Sequence, residues 1–235
     1  MPSLAFRRAP RALLAACTLA AALALPAAGG AQTAGAAAVA ATPPWVRARL
    51  DNRLDARTRA AVERVVDSAY LAGVPAEPLV DKALEGASKR APSEAIVRAV
   101  RTLAGALAEA RQALGAASLP SELTAGASAL RAGVDDDALR TLRRDRPGQP
   151  LTVSLSVLSD LVASGVPADQ AASTVVALTK AGVVDEQLVA FRRDVEHDIG
   201  VGASPAAALT INRDRQPSLS SVVGPERGGA GKRRP

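Results

Sequence analysis

The chain has 235 residues, of which 48% are hydrophobic and only 2% aromatic, with a formal net charge of +6. One Trp, one Tyr and two Phe leave little platform for stacking a base, a sugar or a flat cofactor, and 54 alanines fill the space instead. This composition excludes a collagen-like, knottin-like or low-complexity polar chain. With one Cys and one His it also excludes most Cys- or His-based metal sites, disulfide frameworks and cysteine proteases.

Residues 1–31 read as a secretory signal. Arg7, Arg8 and Arg11 form a positive start, Ala12 to Ala28 run without a charge, and Gly29-Gly30-Ala31 supplies small residues for cleavage near Ala31. Spanning a bilayer takes roughly 20 strongly apolar residues, and this shorter, alanine-rich stretch fits a cleaved signal better than an anchor. Ala9-Pro10-Arg11 stands where a twin-arginine signal wants an apolar pair. Leu14-Ala15-Ala16-Cys17 fits a lipobox, but the apolar stretch before Cys17 is short and continues beyond it, so lipidation of Cys17 stays an open alternative. The address is therefore export, to the periplasm or beyond.

Residues 32–44 form an uncharged Ala/Thr/Gly/Pro linker expected to be disordered, and a helical domain is expected over 45–212. Residues 213–235, rich in Ser, Gly, Pro and Arg without apolar periodicity, read as a disordered basic tail. The charge divides the same way. Residues 1–31 carry +3 and residues 213–235 carry +4, while the middle holds 20 basic and 21 acidic residues. A balanced, aromatic-poor body argues against nucleic-acid binding.

Within 45–212 the period is helical. Leu54, Thr58, Ala61, Val62, Val65, Ala69 and Tyr70 share one face, with Asp55 and Arg59 expected to pair at i,i+4 outside it. Ile96, Val100, Leu103, Leu107, Ala110 and Leu114 form a packing seam, and Leu151, Leu155, Leu158 and Val162 repeat it. Ala72-Gly73-Val74-Pro75, Ala132-Gly133-Val134-Asp135, Ser164-Gly165-Val166-Pro167 and Ala181-Gly182-Val183 share one design: a glycine stop followed by a Pro or acidic start. Gly200 is expected to end a further helix. No sustained alternation marks a strand. The fold class is all-α, with eight or nine short helices stacked as pairs, solenoid-like, or gathered in an irregular bundle.

The segment from Ala72-Gly73-Val74-Pro75-Ala76-Glu77-Pro78-Leu79 through Lys82-Ala83-Leu84-Glu85-Gly86 resembles stretches of uncharacterised exported helical bacterial proteins. The resemblance implies no particular activity.

Chemistry is sparse. Asp194, His197 and Asp198 would share a helix face, and one imidazole with two carboxylates suits a divalent metal or base catalysis. A histidine near a helix C-terminus explains the same residues without chemistry. Asp135-Asp136-Asp137 lacks the alternating ligands of a calcium loop and reads as a helix start. Ser128 lacks the glycine that a nucleophile elbow needs, where Leu130 stands. Gly228-Gly229-Ala230-Gly231-Lys232-Arg233 lacks the first glycine and the hydroxyl of a phosphate loop. Glu77, Glu85 and Glu94 offer carboxylates for glycoside chemistry, but only Trp45 and Tyr70 are available as a sugar floor, and each is expected to pack a helix end. No catalytic, cofactor or metal residue is assigned.

The leading functional reading is a non-enzymatic extracytoplasmic scaffold or adaptor with a protein partner. The alternative is an envelope tether, in which Arg227, Lys232, Arg233 and Arg234 touch an anionic surface. A metal-assisted hydrolase at Asp194, His197 and Asp198 comes third.

Overall fold

A computed structural model describes residues 43–216. They form ten α-helices and, among the described residues, no strand: α1 (Pro44–Leu50), α2 (Ala56–Leu71), α3 (Glu77–Ser88), α4 (Ser93–Leu114), α5 (Pro120–Arg131), α6 (Asp136–Asp145), α7 (Thr152–Ala163), α8 (Ala168–Lys180), α9 (Asp185–Gly200) and α10 (Pro205–Asp214). The all-α class stands, and the expected eight or nine helices become ten. The seven-residue α1 is too short to show an apolar period, since it buries only Val46 and Leu50. No described helix is long and apolar enough to cross a membrane.

The helix ends explain much of the order. Where a glycine follows the last turn, its N–H and that of the next residue fold back onto helix carbonyls. Gly73 N reaches Tyr70 O at 2.9 Å and Val74 N reaches Ala69 O at 2.9 Å; the same pair of bonds recurs at Gly133, Gly165, Gly182 and Gly202. All five glycines have positive φ, which a Cβ would strain. The valine after four of them, Val74, Val134, Val166 and Val183, drops into the core at no more than 4% exposure. Each turn therefore ends one helix and anchors the next. α9 ends at Gly200 as expected, and the positive-φ glycine that closes it is Gly202.

One turn of this type is built without glycine. Arg90 N bonds Ala87 O and Ala91 N bonds Gly86 O, both at 2.9 Å, with Arg90 at φ 53° and its side chain exposed. A side chain in the left-handed region costs about 1 kcal/mol that glycine avoids. Arg90→Gly should therefore stabilise the protein by about 1 kcal/mol, read as a shift of the urea midpoint at unchanged slope.

α4 is the central helix and packs against α2, α3, α5 and α6. From there the chain builds outward: α5 on α7, α7 on α8 and α9, α6 on α8, and α9 on α10, with α1 lying on α2 and α3. Ile96, Val100, Leu107, Ala110 and Leu114 of the expected seam are buried along α4, and Leu151, Leu155 and Leu158 are fully buried around α7. Asp55 does not pair with Arg59. It caps α2 by accepting from Arg57 N and Thr58 N, and Arg59 turns to Asp51 at 2.7 Å. A carboxylate one residue before a helix is better placed for the free N–H groups than for a side chain a turn away.

Candidate interaction groove

A groove runs between α2 and α4. Two cavities of about 500 and 530 Å³ make it up, and they share Ala61, Arg64 and Arg101. Both helices offer rows stepped four, three and four residues apart: Ala61, Val65, Ser68 and Ala72 on α2, and Val97, Arg101, Ala104 and Ala108 on α4. The two helices run in the same direction, so Arg57 lies with Arg98 at one end and Ala72 with Ala108 at the other. From Glu94 to Ala108 the floor is about 21 Å long, four helical turns.

The ends differ in chemistry. Arg57 and Arg98 line the groove where both helices start and Arg64 and Arg101 line its middle, against one carboxylate, Glu94. Among the described residues none of these four arginines is ion-paired, a state shared by Arg47, Arg53, Arg90, Arg111, Arg131, Arg144 and Arg193, while Arg49, Arg59, Arg140, Arg143, Arg146 and Arg192 each have an acid partner; what sets the four apart is that they line one groove. The positive ends of two helix dipoles add to the field there. The far end is lined by alanines, valines, Ser68 and Gly105, with the Arg111 guanidinium lying against Gly73 beside it.

Gly105 sits in the middle of the 22-residue α4, exposed, and a Cβ built on it would meet nothing within 4 Å. The other two mid-helix glycines have reasons inside the fold: a Cβ on Gly86 would fall 2.8 Å from Ile96 Cγ1, and one on Gly126 would fall 3.0 Å from Leu114 Cδ1. Glycine in a helix interior costs about 1 kcal/mol relative to alanine. Gly105→Ala should therefore stabilise the isolated protein by about 1 kcal/mol in chemical denaturation, while Gly86→Ala should not.

The second polar feature is a clamp. Glu122, 2% exposed, accepts from Leu119 N at 2.9 Å and Leu151 N at 2.8 Å and pairs with Arg143 at 2.8 Å. Arg143 also donates to Gln149 O at 2.9 Å. Burial pushes the Glu122 carboxyl up, but the two backbone N–H groups and the guanidinium outweigh it and hold it below its ordinary value. A cavity of about 330 Å³ adjoins the pair. A carboxylate kept ionised with its lone pairs occupied has no proton to give, so the geometry is that of a structural tie between the starts of α5 and α7.

Exposed Asp55 and half-buried Glu85 share that direction. Hydrogen bonds from Thr58 lower Asp55 from 3.8 to about 2, and Lys82 and Lys89 lower Glu85 from 4.5 to about 2. Groups depressed on folding contribute stability that is complete above their unfolded values and is lost as pH falls through the folded ones. The melting temperature should accordingly stay level from neutral pH down to about 5 and fall between about 4 and 2. A fall that begins above pH 6 would contradict this assignment.

The sequence-derived candidates lie elsewhere. Asp194 and His197 are exposed on α9, and Asp198 is engaged by Asn212 Nδ2 at 2.8 Å and Arg215 at 3.7 Å. Among the described residues the only acidic or histidine trio with converging ligand atoms is Asp135, Asp136 and Asp137. There Asp135 caps α6 by accepting from Asp137 N at 2.9 Å, and Arg140 pairs with both neighbours. Ser128 donates to Thr124 O at 3.0 Å. Glu85 is held by its lysines, while Glu77 and Glu94 line different grooves. Trp45 and Tyr70, in the first turn of α1 and the last turn of α2, are 39% and 37% exposed, and Arg49 stacks 5.9 Å from the Trp45 ring centre. Cys17, Arg227, Lys232, Arg233 and Arg234 lie outside the described residues.

No known protein family matches the sequence, and no curated protein or solved structure is detectably similar to it.

Proposed function

We propose that this protein is a non-enzymatic binding module, an exported scaffold or adaptor that holds a protein partner in the α2/α4 groove. The observation that carries this reading is Gly105: a costly glycine that nothing inside the fold requires, facing open space on the floor of a groove lined by unpaired arginines. Close backbone approach by another chain is a standard reason for such a residue. The packing order, in which α5 meets α7 and α7 meets α9, suits stacked helix pairs that leave such faces open between neighbours.

A photo-cross-linking residue placed at Ala104 or Ala108 in producing cells should give one discrete protein adduct, lost in Gly105→Leu, while the same residue at Thr124 gives none. Adducts formed equally from all three positions, or from none, would remove the groove as the working surface.

A further inference from the structure

The groove also specifies the chemistry of its occupant, an inference that rests on the binding-module reading above. We infer that the α2/α4 groove receives an acidic amphipathic α-helix of a partner protein, with small or apolar residues against Gly105 and carboxylates against Arg57, Arg64, Arg98 and Arg101.

Shape supports a helix. Two parallel rows of side chains at helical spacing leave between them the furrow that a third helix fills, and about 21 Å accepts four turns. At Gly105 and the flanking Ala104 and Ala108 no side chain stands between the guest and the α4 backbone beyond a methyl group.

Charge supports an acidic one. Four arginines without acid partners line the groove with a single glutamate, and Asp55, at the start of α2, is occupied by the α2 N-terminus and by Ser93 Oγ at 3.2 Å. Arginine forks match carboxylates in pairs, and its weak hydration makes it suited to a half-buried interface. A second copy of this chain is the poorer occupant, because two such grooves face to face would bring eight unpaired arginines together. A plain polyanion would use the arginines but leave the apolar end, Val65 to Ala108, uncovered.

The test uses the full chain and a synthetic helical peptide of about 20 residues, with Ala and Leu along one face and Glu flanking it, followed by fluorescence anisotropy. The acidic peptide should bind at least about 10-fold more tightly than the same peptide with Lys for Glu, with affinity falling as salt rises. Arg64→Glu with Arg101→Glu should weaken it by about 10-fold or more, as reversal of two charge contacts implies. Gly105→Leu should weaken it by a similar factor while the circular dichroism spectrum stays unchanged, since the added side chain projects into open space.

Equal affinity for the lysine peptide, no effect of the double charge reversal, or no binding of the acidic peptide would overturn the inference. Equally tight binding of unstructured polyglutamate would replace the helix with bare charge. A concentration-dependent dimer that blocks the peptide would replace it with a second copy. If the Ala104 cross-link persists while the acidic peptide fails, the groove remains a binding surface and only its occupant is wrong; if both fail, the module reading goes too.

Discussion

Replacing Glu122 by alanine should cost about 4 kcal/mol of folding free energy, the largest loss expected for a polar substitution in this protein. Removing one member of a buried ion pair costs about 3–5 kcal/mol, because the partner is left charged and desolvated. Here the partner is Arg143, whose Nε is already buried without a hydrogen bond, and the N–H groups of Leu119 and Leu151 would be stranded with it. Glu122→Gln keeps the shape and one acceptor oxygen but not the charge, and should fall between wild type and alanine. Urea unfolding of the three proteins at neutral pH decides the matter. A loss under about 1 kcal/mol for the alanine variant would mean that water from the adjoining cavity replaces the carboxylate, and the clamp would have to be abandoned.

Phe191→Ala should cost a comparable amount, about 4 kcal/mol, for an unrelated reason. The core is built from Leu, Val and Ala, and Phe191 is the largest of its fully buried side chains. It stands with Leu188 and Val195 on the buried face of α9, where α7 and α10 meet it. Truncating a buried phenylalanine to alanine removes its transfer free energy and leaves a cavity that rigid neighbours cannot close, typically about 3–5 kcal/mol. Phe191→Leu fills most of that space and should cost less than about 2 kcal/mol. A loss below about 2 kcal/mol for alanine would show that α9 resettles onto α7, which small alanine-rich neighbours would make easier.

Most of the helix pattern was legible because its causes are local. The apolar rows at Ile96–Leu114 and Leu151–Val162 and the Gly-Val stops need only a few neighbouring residues to act, so they could be read without knowing the fold. The i,i+4 spacing of Asp55 to Arg59 looks the same whether the acid pairs or caps; its place one residue before the helix decides, and that boundary is visible only in the structure. Pro120 and Glu122 are local marks of the first turn of α5, but the bond from Leu151 N joins residues 29 apart and leaves no local trace.

The groove was hidden by averaging. Arg57 and Arg64 repeat at two turns of α2, Arg98 and Arg101 at one turn of α4, and either pair alone is an ordinary solvated face. A near-neutral sum over residues 32–212 conceals that folding brings the two pairs together. Gly105 was in plain view as a poor helix former within a strong helix, and only the open space above it turns that into a clue.

The stops that close α2, α5, α7, α8 and α9 have a consequence for how such a chain can lengthen. The hydrogen bonds of each are complete within six successive residues, and only the valine that follows in four of them reaches into the shared core. A helix with its own terminator can be copied or deleted in one piece, and its neighbours keep their ends. A lineage of such chains would then differ in the number of helices it carries before it differs in how any one of them is bounded, and size would be the freely varied trait.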